Sequence, residues 1–264
     1  MELTDEVKKL AFEMNADLVG VCSAEKMTEG RGRLFEIMPD AKALVVIALE
    51  HLEPVLDSGN LQIIQYHVHQ LYHEIDRILY GLSRFLTKKG LKAVPIPAYL
   101  PVEMSRETLG LRGEVSLKHA AQCAGLGEIG LNRLLITPEY GPRVRLGALI
   151  TNAELTPDEP FTEKLCQREK CAACVKACPA GAISMRGEVD VFKCAPTILK
   201  YFIPGIVDAV NRLAGKNVGW NEIQESVRNP ESWKIFQVLT TGMIYNCFNC
   251  ITSCPIGKRP NNPQ

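Results

Sequence analysis

The sequence predicts an α+β chain in two units, and three observations carry that prediction. Short valine-rich apolar runs alternate with helical-period segments up to about residue 155. Of the ten cysteines, only Cys22 and Cys123 lie in that stretch; the rest follow it. Between the two, Thr156 to Pro160 turns polar and proline-bearing, the composition of a domain boundary. The expectation is an α/β domain over 1–155 and a cysteine-rich domain over 156–264, with a helical insertion at about 195–246.

The elements follow in order. Thr4 can cap a first helix with Asp5 and Glu6 in its opening turn, and Val7, Leu10, Ala11 and Met14 recur at helical spacing. Leu18 to Cys22 and Ala43 to Leu49 read as buried strands. A long helix from about Leu61 carries Ile64, Val68, Leu71, Ile75, Leu79, Leu82 and Leu86 on one face and stops at Lys88-Lys89-Gly90. Ala93 to Ile96 is a further strand, Ser116 caps the next helix, and Leu134 to Thr137 and Val144 to Thr151 are strands joined by a Pro138–Pro142 turn. The expected sheet has about five strands.

Composition excludes some functions. The 264 residues carry 30 basic and 30 acidic side chains, so no broad basic surface is implied and nucleic acid is an unexpected partner. No apolar stretch is long enough to span a bilayer, and the acidic start Met1-Glu-Leu-Thr-Asp-Glu lacks an export signal. A cytoplasmic protein with no membrane partner is expected.

The cysteines carry the chemistry. They read Cys166-x4-Cys171-x2-Cys174-x3-Cys178-Pro179, then Cys194, then Cys247-x2-Cys250-x3-Cys254-Pro255. Two C-x2-C-x3-C-P runs match a bacterial two-cluster ferredoxin, in which the cysteine before proline ligates the other cluster. Cys166, Cys171, Cys174 and Cys254 then hold one 4Fe-4S cluster, and Cys178, Cys194, Cys247 and Cys250 hold the second. The first gap is four residues instead of two, and Cys194 must fold back across more than fifty residues. Structural zinc and a disulfide framework compete, but C-x3-C-P has no place in a zinc ribbon, and a reducing cytosol disfavours disulfides. Cys22 and Cys123 read as inert core residues.

Gly125-x-Gly127-x-x-Gly130 satisfies the dinucleotide fingerprint in the wrong context, because a helix precedes it and a strand follows. These glycines are expected to let backbone approach a bulky ligand or a neighbouring segment.

The run Ala124-Gly-Leu-Gly-Glu-Ile-Gly130-Leu-Asn132, then Leu135-Ile-Thr-Pro-Glu-Tyr-Gly141, then Leu149-Ile-Thr-Asn152, stands ahead of the cysteine module. Together they resemble the epoxyqueuosine reductases and respiratory reductive dehalogenases, a corrinoid and iron–sulfur superfamily. The resemblance implies a cobalamin bound without its lower base between a cobalamin-reductase-like N-terminal domain and a ferredoxin-like domain. It implies electrons reaching cobalt through two clusters, from a low-potential donor such as ferredoxin or flavodoxin. An epoxyqueuosine reductase would carry an acidic proton donor before the glycine run; Pro95 to Met104 has no aspartate. The chain reads as a shorter, cytoplasmic cousin acting on a small molecule or on a corrinoid itself. A non-catalytic electron carrier docking a partner protein is the alternative.

A reductase needs a proton donor, and Glu128, Tyr99, Glu103 and Tyr140 are the candidates. Gly125, Gly127, Gly130, Asn132, His67 and Arg143 are the candidate cofactor-binding residues. His69 and His73, at i, i+4, read as a polar helix face more readily than as a metal pair.

Overall fold

The computed structural model describes residues 2–99, 113–214, 219–243 and 245–258. Strands β1 (Leu18–Ser23), β2 (Ala43–Glu50), β3 (Ala93–Ile96) and β6 (Val144–Thr151) form one antiparallel sheet in the order β1-β2-β6-β3. The expected fifth strand is not part of it. Instead β4 (Glu128–Ile129) and β5 (Leu135–Ile136) pair separately as a two-stranded ladder.

Strand β2 shows why its sequence is apolar throughout. Leu44, Val46 and Ala48 enter one core, with Leu34 of α2 (Arg31–Ile37) and Ala120 and Ala121 of α5 (Leu117–Cys123). Ala43, Val45, Ile47 and Leu49 enter the other, with Val7 and Ala11 of α1 (Leu3–Glu13) and Ile75, Ile78, Leu79, Leu82 and Leu86 of α4 (Leu61–Lys88). Helices thus cover both faces of the sheet, and each fully buried Leu or Ile contributes about 1.5–3 kcal/mol.

Helix α4 starts where Asn60 accepts the Gln62 and Ile63 amides at 3.1 and 3.2 Å. It ends at Gly90, whose φ of +79° lets the Leu91 amide return to the Leu86 carbonyl. A short α3 (Glu53–Asp57) precedes it. Thr4 is not the cap of α1: it lies inside the helix, where its Oγ1 accepts the Thr156 amide at 2.8 Å. Ser116 sits at the N-cap of α5, but its hydroxyl bonds His119 Nδ1 at 2.6 Å instead of a backbone amide.

Asp158 pins the proline-bearing stretch to the sheet. Its Oδ2 accepts the Val21 amide at 2.7 Å, its own amide donates to the Val21 carbonyl, and Oδ1 pairs with Lys8 at 2.6 Å. Cys22 and Cys123 are buried as expected but are not separate thiols. They form a disulfide with Cα atoms 5.3 Å apart, because β1 and α5 meet across the first core.

Beyond Asp158 lie α6 (Ala173–Ala177), α7 (Val191–Ile198), α8 (Ile203–Leu213), α9 (Trp220–Arg228), α10 (Pro230–Thr241) and α11 (Asn249–Thr252). Among the described residues no helix is long and apolar enough to cross a membrane.

Candidate functional site

The fold gathers the distant cysteines. Cys166, Cys171, Cys174 and Cys254 line one small pocket of about 30 Å³, closed by Leu131, Asn132 and Ile136 from the β4–β5 region. Cys171 and Cys174 bracket the start of α6, and Ala172 turns the chain between them at φ +48°, a left-handed backbone costing about 1–2 kcal/mol. Cys194 lies near the middle of α7, and burial, then Cys178 and Cys247, raise its pKa. Burial, then Cys247, Cys174, Cys194 and Cys178 in turn, push the Cys250 thiol up to about 12. Four of the eight thiols thus share one pocket, and Cys178, Cys194, Cys247 and Cys250 lie near one another and near Cys174. Backbone amides already point at the sulfurs, from Leu131 to Cys166 at 3.4 Å and from Ala182 to Cys178 at 3.3 Å. Among the described residues no three His, Cys, Asp or Glu side chains converge on a single-ion site.

Several residues expected beside a cofactor hold the cysteine loops instead. Glu128 is buried, and its Oε2 accepts the Leu165 and Cys166 amides at 2.8 and 2.9 Å. A carboxylate so engaged is an anchor and not a proton donor to a cleft. Arg143 is buried too, donating to the Cys254 carbonyl at 2.5 Å and to Ile256 O at 2.8 Å. Asn132 donates to Cys250 O at 3.2 Å. The glycine run also serves chain packing: a Cβ on Gly127 or Gly130 would strike Ile136, and one on Gly125 would stand 2.7 Å from the Glu159 carbonyl oxygen. Close approach of a neighbouring segment accounts for all three glycines.

A larger cleft of about 470 Å³ lies over the sheet edge. Leu134, Leu135, Val144, Leu146 and Ile251 are among its apolar lining, and Ser116, Lys118 and Arg145 among its polar lining. Tyr99 is in its wall, stacked on Tyr72 at 4.6 Å, with its hydroxyl donating to Gly242 O at 2.6 Å; burial raises its pKa. The Arg145 guanidinium lies over the Tyr72 and Phe248 rings at 5.5 and 5.7 Å, and its buried Nε has no protein partner. Tyr72 was not expected here; its place on a helix pattern marks it only as a core aromatic.

Tyr140 packs against the first core from its turn and is absent from the cleft lining. His67 stands behind the cleft, accepting the Leu52 amide at 3.2 Å and meeting the fully buried His51 edge-on at 5.5 Å. His69 and His73 bond each other through Nε2 at 3.0 Å. Glu103 lies outside the described residues.

The two regions touch. Cys250 packs in an apolar cluster with Ile251, Tyr72 and Leu134, all three of which line the cleft.

No family model matches the chain. Epoxyqueuosine reductase of Synechocystis is 30% identical over 189 residues, covering 70% of this chain and 59% of that protein. Its counterpart in Bacillus anthracis is 32% identical over 148 residues, 55% of this chain and 30% of the relative. Tetrachloroethene reductive dehalogenase of Desulfitobacterium hafniense is 36% identical over 155 residues, 58% of this chain and 25% of the relative. The chain thus spans between a quarter and three fifths of these relatives. Among solved structures, Bacillus subtilis epoxyqueuosine reductase superposes with a TM-score of 0.59 at 20% identity, over 97% of this chain and 65% of that one. A second epoxyqueuosine reductase, solved with a modified tRNA stem loop, gives 0.59 at 21% identity and the same coverage. A catabolic reductive dehalogenase gives 0.57 at 22% identity, over 72% of this chain and 28% of that one. By sequence this chain is homologous to epoxyqueuosine reductases and reductive dehalogenases, and it shares their fold.

Proposed function

We propose that the protein is an iron–sulfur reductase that passes electrons through two 4Fe-4S clusters to a corrinoid or substrate in the cleft. In this reading residues 1–155 shape the cleft and 156–264 form the ferredoxin-like electron entry, fed by a low-potential donor such as ferredoxin or flavodoxin in the cytoplasm. The observation that carries it is the gathering of Cys166, Cys171, Cys174 and Cys254 about one pocket, with Cys250 packed beside the cleft lining.

The donor chemistry suits clusters. Backbone amides reach Cys166 and Cys178, one in each proposed set, and such bonds help set a cluster's potential. The cleft suits a flat corrinoid: its lining combines apolar side chains with Ser116, Lys118 and Arg145, and the unpartnered Arg145 Nε calls for a ligand or water. Bound there, a corrinoid would supply the reductive chemistry at cobalt. The protein's share is to deliver electrons, exclude water with the apolar lining and grip polar groups with Arg145 and Lys118. Tyr99 is a candidate acid by its place in the cleft wall, where its hydroxyl would first have to leave Gly242 O and where burial, by raising its pKa, weakens it as a donor.

The tRNA-bound relative changes the expected substrates. A nucleoside carried on RNA joins small organic molecules as a candidate, despite the neutral composition.

Anaerobic reconstitution tests the proposal. About eight iron atoms per chain are expected, together with base-off cobalamin binding seen as a blue-shifted spectrum. Cys194→Ala should cost the second cluster's signal and leave the first. Zinc in place of iron, or loss of neither cluster in Cys194→Ala, would overturn the assignment. Electron transfer to a partner with no reductase turnover would favour the carrier reading.

A further inference from the structure

We propose that Glu128 and Arg143 are positioning residues for the first cluster, seizing its leading and trailing ligand loops and biasing its potential in opposite directions. The inference rests on the two-cluster reading and goes beyond it by assigning two buried charges of the N-terminal unit a task at the metal.

The geometry is one of opposed clamps. Cys166 and Cys254 are far apart in sequence, yet both line the same pocket. Glu128, on β4, meets the first of them: its side chain is 3% exposed and holds the Leu165 and Cys166 amides at 2.8 and 2.9 Å. These are charge-assisted bonds to the ligand's own backbone, so the carboxylate fixes where Cys166 Sγ stands. Arg143, just before β6, meets the last. Its Nη2 and Nη1 hold the Cys254 and Ile256 carbonyls at 2.5 and 2.8 Å. Gly141 and Gly257 let those two segments touch, for a Cβ on either would overlap the other's backbone neighbourhood.

Both charges are desolvated, so both are felt at the pocket. The cations beside Glu128 neutralise little of it: Lys164 at 3.5 Å and Arg168 at 3.9 Å have side chains 77% and 47% exposed. Reduction adds an electron to the cluster, so a fixed negative charge opposes it and a fixed positive charge favours it. The longer gap between Cys166 and Cys171 fits this arrangement, because an external anchor on the Cys166 amide replaces the shorter loop's own constraint.

The test is a potentiometric titration of the reconstituted full chain, followed by paramagnetic resonance, with iron counted in each sample. Glu128→Gln should raise the midpoint of the first cluster and Arg143→Gln should lower it, with the second cluster less affected. Arg143→Lys, which keeps the charge, should leave the midpoint close to wild type. If Glu128→Gln arrives with about half the iron and the second cluster's signal intact, the positioning role stands. Shifts of the same sign, or no shift in either variant at full iron content, would overturn the proposal. Failure of the wild-type chain to take up iron would instead sink the two-cluster reading.

Discussion

Replacing Gly127 by alanine separates two explanations of the glycine run. If the glycines admit a cofactor, the apoprotein should tolerate the methyl and lose only cofactor binding. The structure predicts the opposite. The new Cβ would overlap the Ile136 carbonyl oxygen, stand 2.8 Å from its carbon and 3.1 Å from Thr137 Cα. All three atoms are backbone, so no rotamer change relieves the contact and the β4–β5 ladder must part by roughly an ångström. Overpacking of this kind costs on the order of 3 kcal/mol. At about 2–4 °C per kcal/mol for a chain of this size, the apoprotein should melt roughly 6–12 °C lower. Gly32→Ala is the control, since nothing lies within 4 Å of its Cβ position in α2. That change should stabilise by about 0.5–1 kcal/mol. Calorimetry on both apoproteins is the assay, and a Gly127→Ala protein melting with wild type would refute the packing argument.

Two further outcomes follow from buried groups. His51 is held well below its usual pKa of 6.5, first by burial and then by Arg145 and His67. The folded state keeps it neutral while the unfolded chain takes up a proton near pH 6.5, so its stabilising contribution is complete above that pH and declines as pH falls below it. Urea unfolding between pH 8 and 5 should lose up to about 1.4 kcal/mol per pH unit from this residue. His51→Gln should flatten the slope, and an unchanged slope would contradict the assignment. Separately, metal-free protein unfolded without reductant should titrate two fewer thiols than the same protein after reduction, because Cys22 and Cys123 are joined; equal counts would refute the pairing.

Much of the fold is legible in the sequence because burial writes itself into periodicity. β2 reads as a continuous apolar run because it feeds two cores, and α4 is bounded by a periodic face and Gly90. Cysteine spacing likewise groups Cys254 with Cys166, Cys171 and Cys174, and the four line one pocket. The failures lie where a residue's task depends on a distant partner. Nothing local to Glu128 says that the Leu165 and Cys166 amides will meet it, so a buried anchor resembles a candidate acid. Arg143 and Arg145 alternate on one segment, and only the fold shows that the first holds Cys254 while the second turns to Tyr72 and the cleft. The β4–β5 ladder escaped notice as a separate unit because it rests on two residue pairs, too few for an alternation pattern.

That dependence also runs the other way. A buried carboxylate with no donors is costly, and Glu128 finds backbone amides only when the Leu165–Cys166 segment is in place. The Cys166 loop, in turn, has no helix or strand of its own before Arg168 to fix it. Neither the hairpin nor the first ligand loop is therefore complete alone. Arg143 repeats the relation with Cys254 and Ile256. The β4–β6 region and the first thiol pocket are then parts of one folding unit, held across residue 156 by these bonds. Substitutions in the β4–β6 region should accordingly be read first through iron content, and only then through catalysis.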